Sequence, residues 1–123
     1  MKVKRLKIII SQDIKTPFNT KTEFKLINKK EYATNHKLKL GTYGFIKGAE
    51  YFIVGVAKNT KEGLIDYGFA LEKIILDLAA ENLGTCWLGG SFSRAQFGQT
   101  IKMNDGEVIP AITPVGVAKV QSI

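Results

Sequence analysis

KEGLIDYGFALEKIILDLAAEN, residues 61–82, is a run of 22 residues without proline, rich in Leu, Ile, Ala, Glu and Lys. It predicts a single helix about 33 Å long. On a helical wheel Glu62, Asp66, Lys73, Asp77 and Glu81 gather on one limited sector. Leu64, Tyr67, Leu71, Ile75, Leu78 and Ala79 form one apolar flank; Ile65, Phe69, Leu76, Ala80 and Leu83 form another. A helix that is apolar over most of its circumference needs cover from several directions. A chain of 123 residues has little material to supply it. We therefore expect a central helix packed partly on its own sheet and partly on a second copy; a core helix within one chain is the alternative. Gly63 and Gly68 each weaken the helix, and close approach of a neighbouring backbone at Gly68 is the expected compensation.

The flanks extend the pattern. AEYFIVGVA, residues 49–57, predicts a strand buried on both faces. Asn59 is the expected helix cap, with Glu62 three positions on in capping-box spacing. Downstream, Gly84 is expected to stop the helix in the left-handed conformation. A short buried strand over residues 85–88 and a Gly89-Gly90 turn follow. Ser93 opens a helix to about Met103, which Asn104-Asp105-Gly106 ends. In the tail EVIPAITPVGVAKV, residues 107–120, Pro110 and Pro114 remove ladder donors and predict an edge or irregular strand. Upstream, Val3, Leu6 and Ile9 or Ile10 share one helical face. Pro17 and Thr20 bound a loop, and Phe24 and Leu26 alternate with charge as in a strand. The lysine-rich residues 28–41 are weakly patterned, with one helical turn expected around residues 35–40. No internal repeat occurs. The order of helices and strands predicts a single layered α+β domain, a mixed sheet flanked by helices around a long central one.

Composition narrows the function. The formal net charge is +7, and only Arg5 and Arg94 carry guanidinium groups. A lysine surplus spread along the chain reads as a solvated basic surface, not a nucleic-acid partner surface, while phosphorylated small molecules stay open. One cysteine rules out a disulfide framework, and with one histidine it argues against a structural metal site. The amino terminus lacks a signal-peptide core and no apolar run is long enough for a bilayer, so the expected location is cytoplasmic, with no membrane contact. His36 reads as a surface residue and Cys86 as a small buried hydrophobe. With no nucleophile or carboxylate pair in view, any catalysis would fall to a bound cofactor whose electronics are set by backbone groups.

ENLGTCWLGGSF, residues 81–92, gathers three glycines, the only cysteine and the only tryptophan. Its Gly89-Gly90 pair admits two readings. One is a simple turn; the other is a backbone cradle that a flat ligand approaches without meeting a Cβ.

The run IKGAEYFIVGVAKNTKEGLIDYGFALEKIILDLAAENLGTCWLGG, residues 46–90, resembles the nitroreductase family of flavoproteins, especially its short branch. TPFNTKTEFKLI, residues 16–27, is similar to that family's loop-and-strand motif, and EVIPAITPVGVAK, residues 107–119, to its late strand. The resemblance implies FMN-dependent homodimers of α+β fold, with flavin in a groove shared by two subunits. It implies ping-pong transfer of electrons from NAD(P)H to nitroaromatic or quinone-type acceptors. By position, Leu88, Gly89 and Gly90 would present backbone amides to the N5 and O4 edge of the flavin, where donors favour reduction. Asn19, with Lys21 beside it, would face the pyrimidine edge. The helix that begins at Lys61 and ends at Asn82 matches the family's dimer-core helix. Against the family pattern, the chain starts after the Arg-rich motif that grips the FMN phosphate. It also stops before the basic segment and C-terminal extension, leaving Lys119 as the candidate cation. The sequence thus reads as truncated at both ends. The alternative to a flavoenzyme is a flavin-free relative serving as a dimeric structural or binding module.

Overall fold

The computed structural model describes residues 3–35, 50–90 and 92–117. Its centre is β2, Tyr51–Lys58. The alternation of this strand sends Ile53 and Ala57 into one core and Phe52, Val54 and Val56 into another on the opposite face. None of these five side chains is exposed. The continuous apolar run is thus explained by a strand covered on both sides, each large side chain contributing about 1.5–3 kcal/mol by leaving water.

β1 (Thr22–Asn28) pairs with one edge of β2 and β5 (Ile112–Val117) with the other; β3 (Leu83–Thr85) lies beyond β5. The two-residue β4, Glu107–Val108, pairs with the end of β2. All these pairings are antiparallel, where a mixed sheet was expected. α1 (Val3–Ile10) and α3 (Lys61–Ala80) cover one face, joining Leu6, Ile9 and Ile10 to Tyr67, Leu71, Ile74 and Leu78. Phe92 and Phe97 cover the other, Phe97 lying edge-on 5.4 Å from Phe52 and 5.6 Å from Phe92. α2 (Lys29–Asn35) adds Tyr32 to this layer, and α4 (Arg94–Phe97) supplies Phe97. The layered α+β arrangement is as expected. No helix among the described residues is long and apolar enough to cross a membrane.

Several boundaries differ from the sequence reading. The cap of α3 is Thr60, whose hydroxyl accepts from the Gly63 amide at 3.0 Å. Asn59 is instead drawn toward β4, its amide donating to Gly106 O at 2.8 Å. The left-handed residue after α3 is Asn82 (φ 60°), and Gly84 is already in β3 opposite Gly116. Asn tolerates that conformation better than most side chains, so the helix stops two residues early. α4 is a single turn and does not reach Met103. Ser93 caps it as expected, accepting from the Gln96 amide. The turn expected around residues 35–40 falls almost wholly outside the described residues.

The largest correction concerns β5, which is not an edge strand: it sits between β2 and β3. Its backbone groups alternate sides, and Ile112 exchanges both of its bonds with Leu88 on the β3 side. Pro114, two residues on, therefore turns its missing donor toward β3. There the ladder has a gap, between the Thr85–Val115 pair and the Leu88–Ile112 bridge. In that gap Cys86 leaves the sheet, its amide donating to the Thr113 hydroxyl at 2.9 Å. Cys86 is consequently exposed and not buried.

Candidate functional site

The loop before β1 is fixed by an acid on α3. Asp66 has no solvent exposure, contrary to its place on the polar sector of the wheel. Its Oδ1 accepts from Phe18 N at 2.9 Å. Its Oδ2 accepts from Thr20 N at 2.8 Å and from the Thr20 hydroxyl. Burial pushes this carboxyl up, but the Thr20 hydroxyl, the Phe18 and Thr20 amides and the Thr16 side chain outweigh it and hold the group below its ordinary value. Between the two anchored amides, Asn19 N donates to Thr16 O at 3.4 Å, and Asn19 takes a left-handed φ of 55°. Sequence reading missed Asp66. No local pattern marks it, since Ile65 before it and Phe69 three positions on are both exposed.

Asn19 and Lys21 line one open groove of 680 Å³ between the end of α1 and β1, with Ile10, Asp13, Phe24 and Ile101 among its other walls. The Lys21 ammonium lies 3.6 Å from Glu23 and 3.8 Å from Glu107. The Glu23 pair is solvent-screened and worth little, whereas the Glu107 side chain is almost wholly buried and holds Lys21 more firmly.

Leu88, Gly89 and Gly90 form a second cluster, which does not line that groove. Leu88 is buried and its amide donates to Ile112 O at 2.9 Å. Its N–H is therefore already used, which leaves the two glycines as the exposed donors. Among the described residues their amides have no hydrogen-bond partner. A Cβ at either glycine would meet nothing within 4 Å, and neither has a positive φ. Neither the turn nor the chain's own packing requires glycine here. Arg94 holds this segment in place. Its Nη2 donates to Gly89 O and to Pro110 O (3.0 Å), its Nε to Ile109 O (3.2 Å), and its guanidinium stacks 4.6 Å from the Phe92 ring centre. Lys119 and His36 lie outside the described residues.

A third feature runs along α3. Ile65, Phe69 and Leu76 on α3 are exposed, Phe69 by 50% and Leu76 by 60%, and Leu64 is exposed beside them. Their spacing of four and seven residues makes one stripe along the second flank of the wheel. A Cβ on Gly68, next to that stripe, would meet nothing within 4 Å of its own chain. The close backbone approach within the chain falls at Gly63 instead, where a Cβ would stand 2.2 Å from Lys58 O.

This architecture is the nitroreductase fold. The nitroreductase family protein of Clostridium novyi NT matches at a TM-score of 0.71 and 23% identity, over 96% of this chain and 76% of its own. The FMN-dependent nitroreductase of Clostridium difficile R20291 matches at 0.67 and 18%, over 98% and 76%. The NADPH:FMN oxidoreductase of Vibrio harveyi, complexed with NAD+, matches at 0.64 and 15%, over 98% and 61%. No curated protein matches the chain. The chain itself belongs to the nitroreductase family described as "Putative TM nitroreductase", which matches residues 3–123.

Proposed function

We propose that this protein is an FMN-dependent oxidoreductase that takes electrons from NAD(P)H and passes them to nitroaromatic or quinone-type acceptors. In this reading it acts as a homodimer joined through α3. The observation that carries the proposal is the Gly89-Gly90 pair, whose two amides are unpaired among the described residues and stand where no internal demand selects glycine. Such a surface fits the edge of a planar, electron-accepting ring. FMN, when bound, would supply the redox chemistry itself. Two structural neighbours, the C. difficile FMN-dependent nitroreductase and the V. harveyi NADPH:FMN oxidoreductase, support the choice of cofactor and donor.

The chain's own residues would divide the remaining work. The Gly89 and Gly90 amides would donate to the ring edge on which negative charge accumulates. The Asn19 side-chain amide, exposed in the groove, would pair with the pyrimidine edge, with Lys21 beside it as a cation. Lys119 is the further candidate for a phosphate. The groove and the glycine segment are separate within one chain, which suits a site completed by a second copy. The exposed stripe of Ile65, Phe69 and Leu76 is the surface we assign to that contact.

A flavin-free, dimeric binding module is the second reading, favoured by the acids Glu23 and Glu107 that already face Lys21. One assay separates the two. The enzyme reading predicts a yellow protein, or one reconstituted by added FMN, that oxidises NADH or NADPH when a nitroaromatic or quinone is supplied. A colourless protein that stays inactive with excess FMN supports the module.

A further inference from the structure

We infer that Asp66 is the positioning residue of the site just proposed: from α3 it clamps the backbone on both sides of Asn19 and so fixes the side-chain amide offered to the flavin. The inference rests on the flavin reading. Three consecutive amides, those of Phe18, Asn19 and Thr20, are consumed within the protein by Asp66 Oδ1, Thr16 O and Asp66 Oδ2. The loop backbone therefore has no donor left at these positions. What it offers the groove is the Asn19 side chain, which has no partner among the described residues. Asn adopts the left-handed region more readily than most residues, and at Asn19 (φ 55°) the surroundings hold it there. The surroundings here are two oxygens of one buried carboxylate, gripping the residues immediately before and after.

The chemistry selects Asp at this place. Three donors converge on two oxygens, and an ionised carboxylate is all acceptor. Asparagine would turn an NH2 group toward an N–H or O–H, leaving at least one donor opposed. Glutamate would push the loop out by one methylene. Asp66 also lies between Ile65 and Phe69 of the exposed stripe, so the same turn of α3 holds the loop and faces the proposed partner.

The test compares wild type with Asp66→Asn, Thr20→Val and Thr60→Ala. Thr60→Ala removes the cap of the same helix and serves as the control for a general loss of helix stability. Two quantities are read: FMN affinity by fluorescence quenching, and hydrogen exchange of the Phe18 and Thr20 amides in flavin-free protein. We expect Asp66→Asn to speed exchange at both amides and to weaken FMN binding about tenfold or more. The absorbance bands of any flavin it retains should shift. Thr20→Val, which deletes one donor and keeps the carboxylate, should weaken binding by a smaller factor, and it decides the matter if Asp66→Asn does not fold. Thr60→Ala should melt earlier yet bind FMN like wild type. Equal FMN affinity in wild type, Asp66→Asn and Thr20→Val overturns the inference while leaving the flavin reading standing. Wild-type protein that takes up no FMN overturns both.

Discussion

A Cβ placed on Gly63 would stand 2.2 Å from the carbonyl oxygen of Lys58. The connection from β2 into α3 can therefore close only over a glycine, even though glycine weakens the helix it begins. Gly63→Ala should lose stability, by about 1–3 kcal/mol, because the steric cost exceeds the gain in helix propensity. Urea unfolding measures this directly. A variant as stable as wild type would show that the connection has room to shift.

Gly68 makes the opposite prediction. Its own chain leaves it in open space, so Gly68→Leu should preserve the fold and its circular dichroism. If α3 packs on a second copy beside Ile65 and Phe69, the added side chain should turn dimer into monomer. Light scattering at micromolar concentration reads the change. An unaltered mass would place the contact elsewhere.

Acid should destabilise the protein through two carboxylates. Asp66 is held below its ordinary value by the contacts already described. Asp77 is lowered chiefly by its bond to Lys73, then by Gln12. A folded-state value below the unfolded one gives stability that is complete above the unfolded value. That stability is lost as pH falls through it toward the folded one. Unfolding midpoints should therefore hold steady above about pH 5 and decline below about pH 4. Asp66→Asn should flatten that decline. A wild-type curve that does not fall on acidification would contradict the assigned directions.

Arg94 should matter through its shape. Lysine can supply the charge but not the fork that reaches Gly89 O, Ile109 O and Pro110 O together. Arg94→Lys should cost about 1–2 kcal/mol at this exposed position and speed hydrogen exchange at Leu88, the neighbouring amide that is bonded to Ile112 O. Unchanged exchange there would mean that the glycine segment is held by other contacts.

Periodicity located the main elements because burial there follows the local pattern. The apolar run in β2 and the long repeat in α3 have the predicted character, with ends displaced by a residue or two. Patterning failed where a long-range contact decides. The wheel placed Asp66 in water because no local signal announces that a loop 46 residues earlier will bury it. Pro114 pointed to an edge, whereas β5 accommodates it inside the sheet by opening a gap opposite, and that gap exposes Cys86. Asn59 lost the cap to Thr60 because its backbone is engaged by Gly106. For the candidate site, the resemblance led to Asn19, Lys21 and residues 88–90. It did not reveal that Leu88 has spent its amide on Ile112 or that Arg94 holds the glycines.

The central claim is that the Gly89-Gly90 backbone is kept bare for a flavin. The most direct measurement is an FMN titration, by fluorescence quenching, of wild type against Gly89→Ala/Gly90→Ala. No atom of the described residues obstructs either added methyl group, so the double variant should melt at the wild-type temperature. The account predicts micromolar quenching by wild type and binding weakened by about tenfold or more in the variant. Equal affinity in the two proteins, or no quenching by wild type even with FMN in excess, would contradict it.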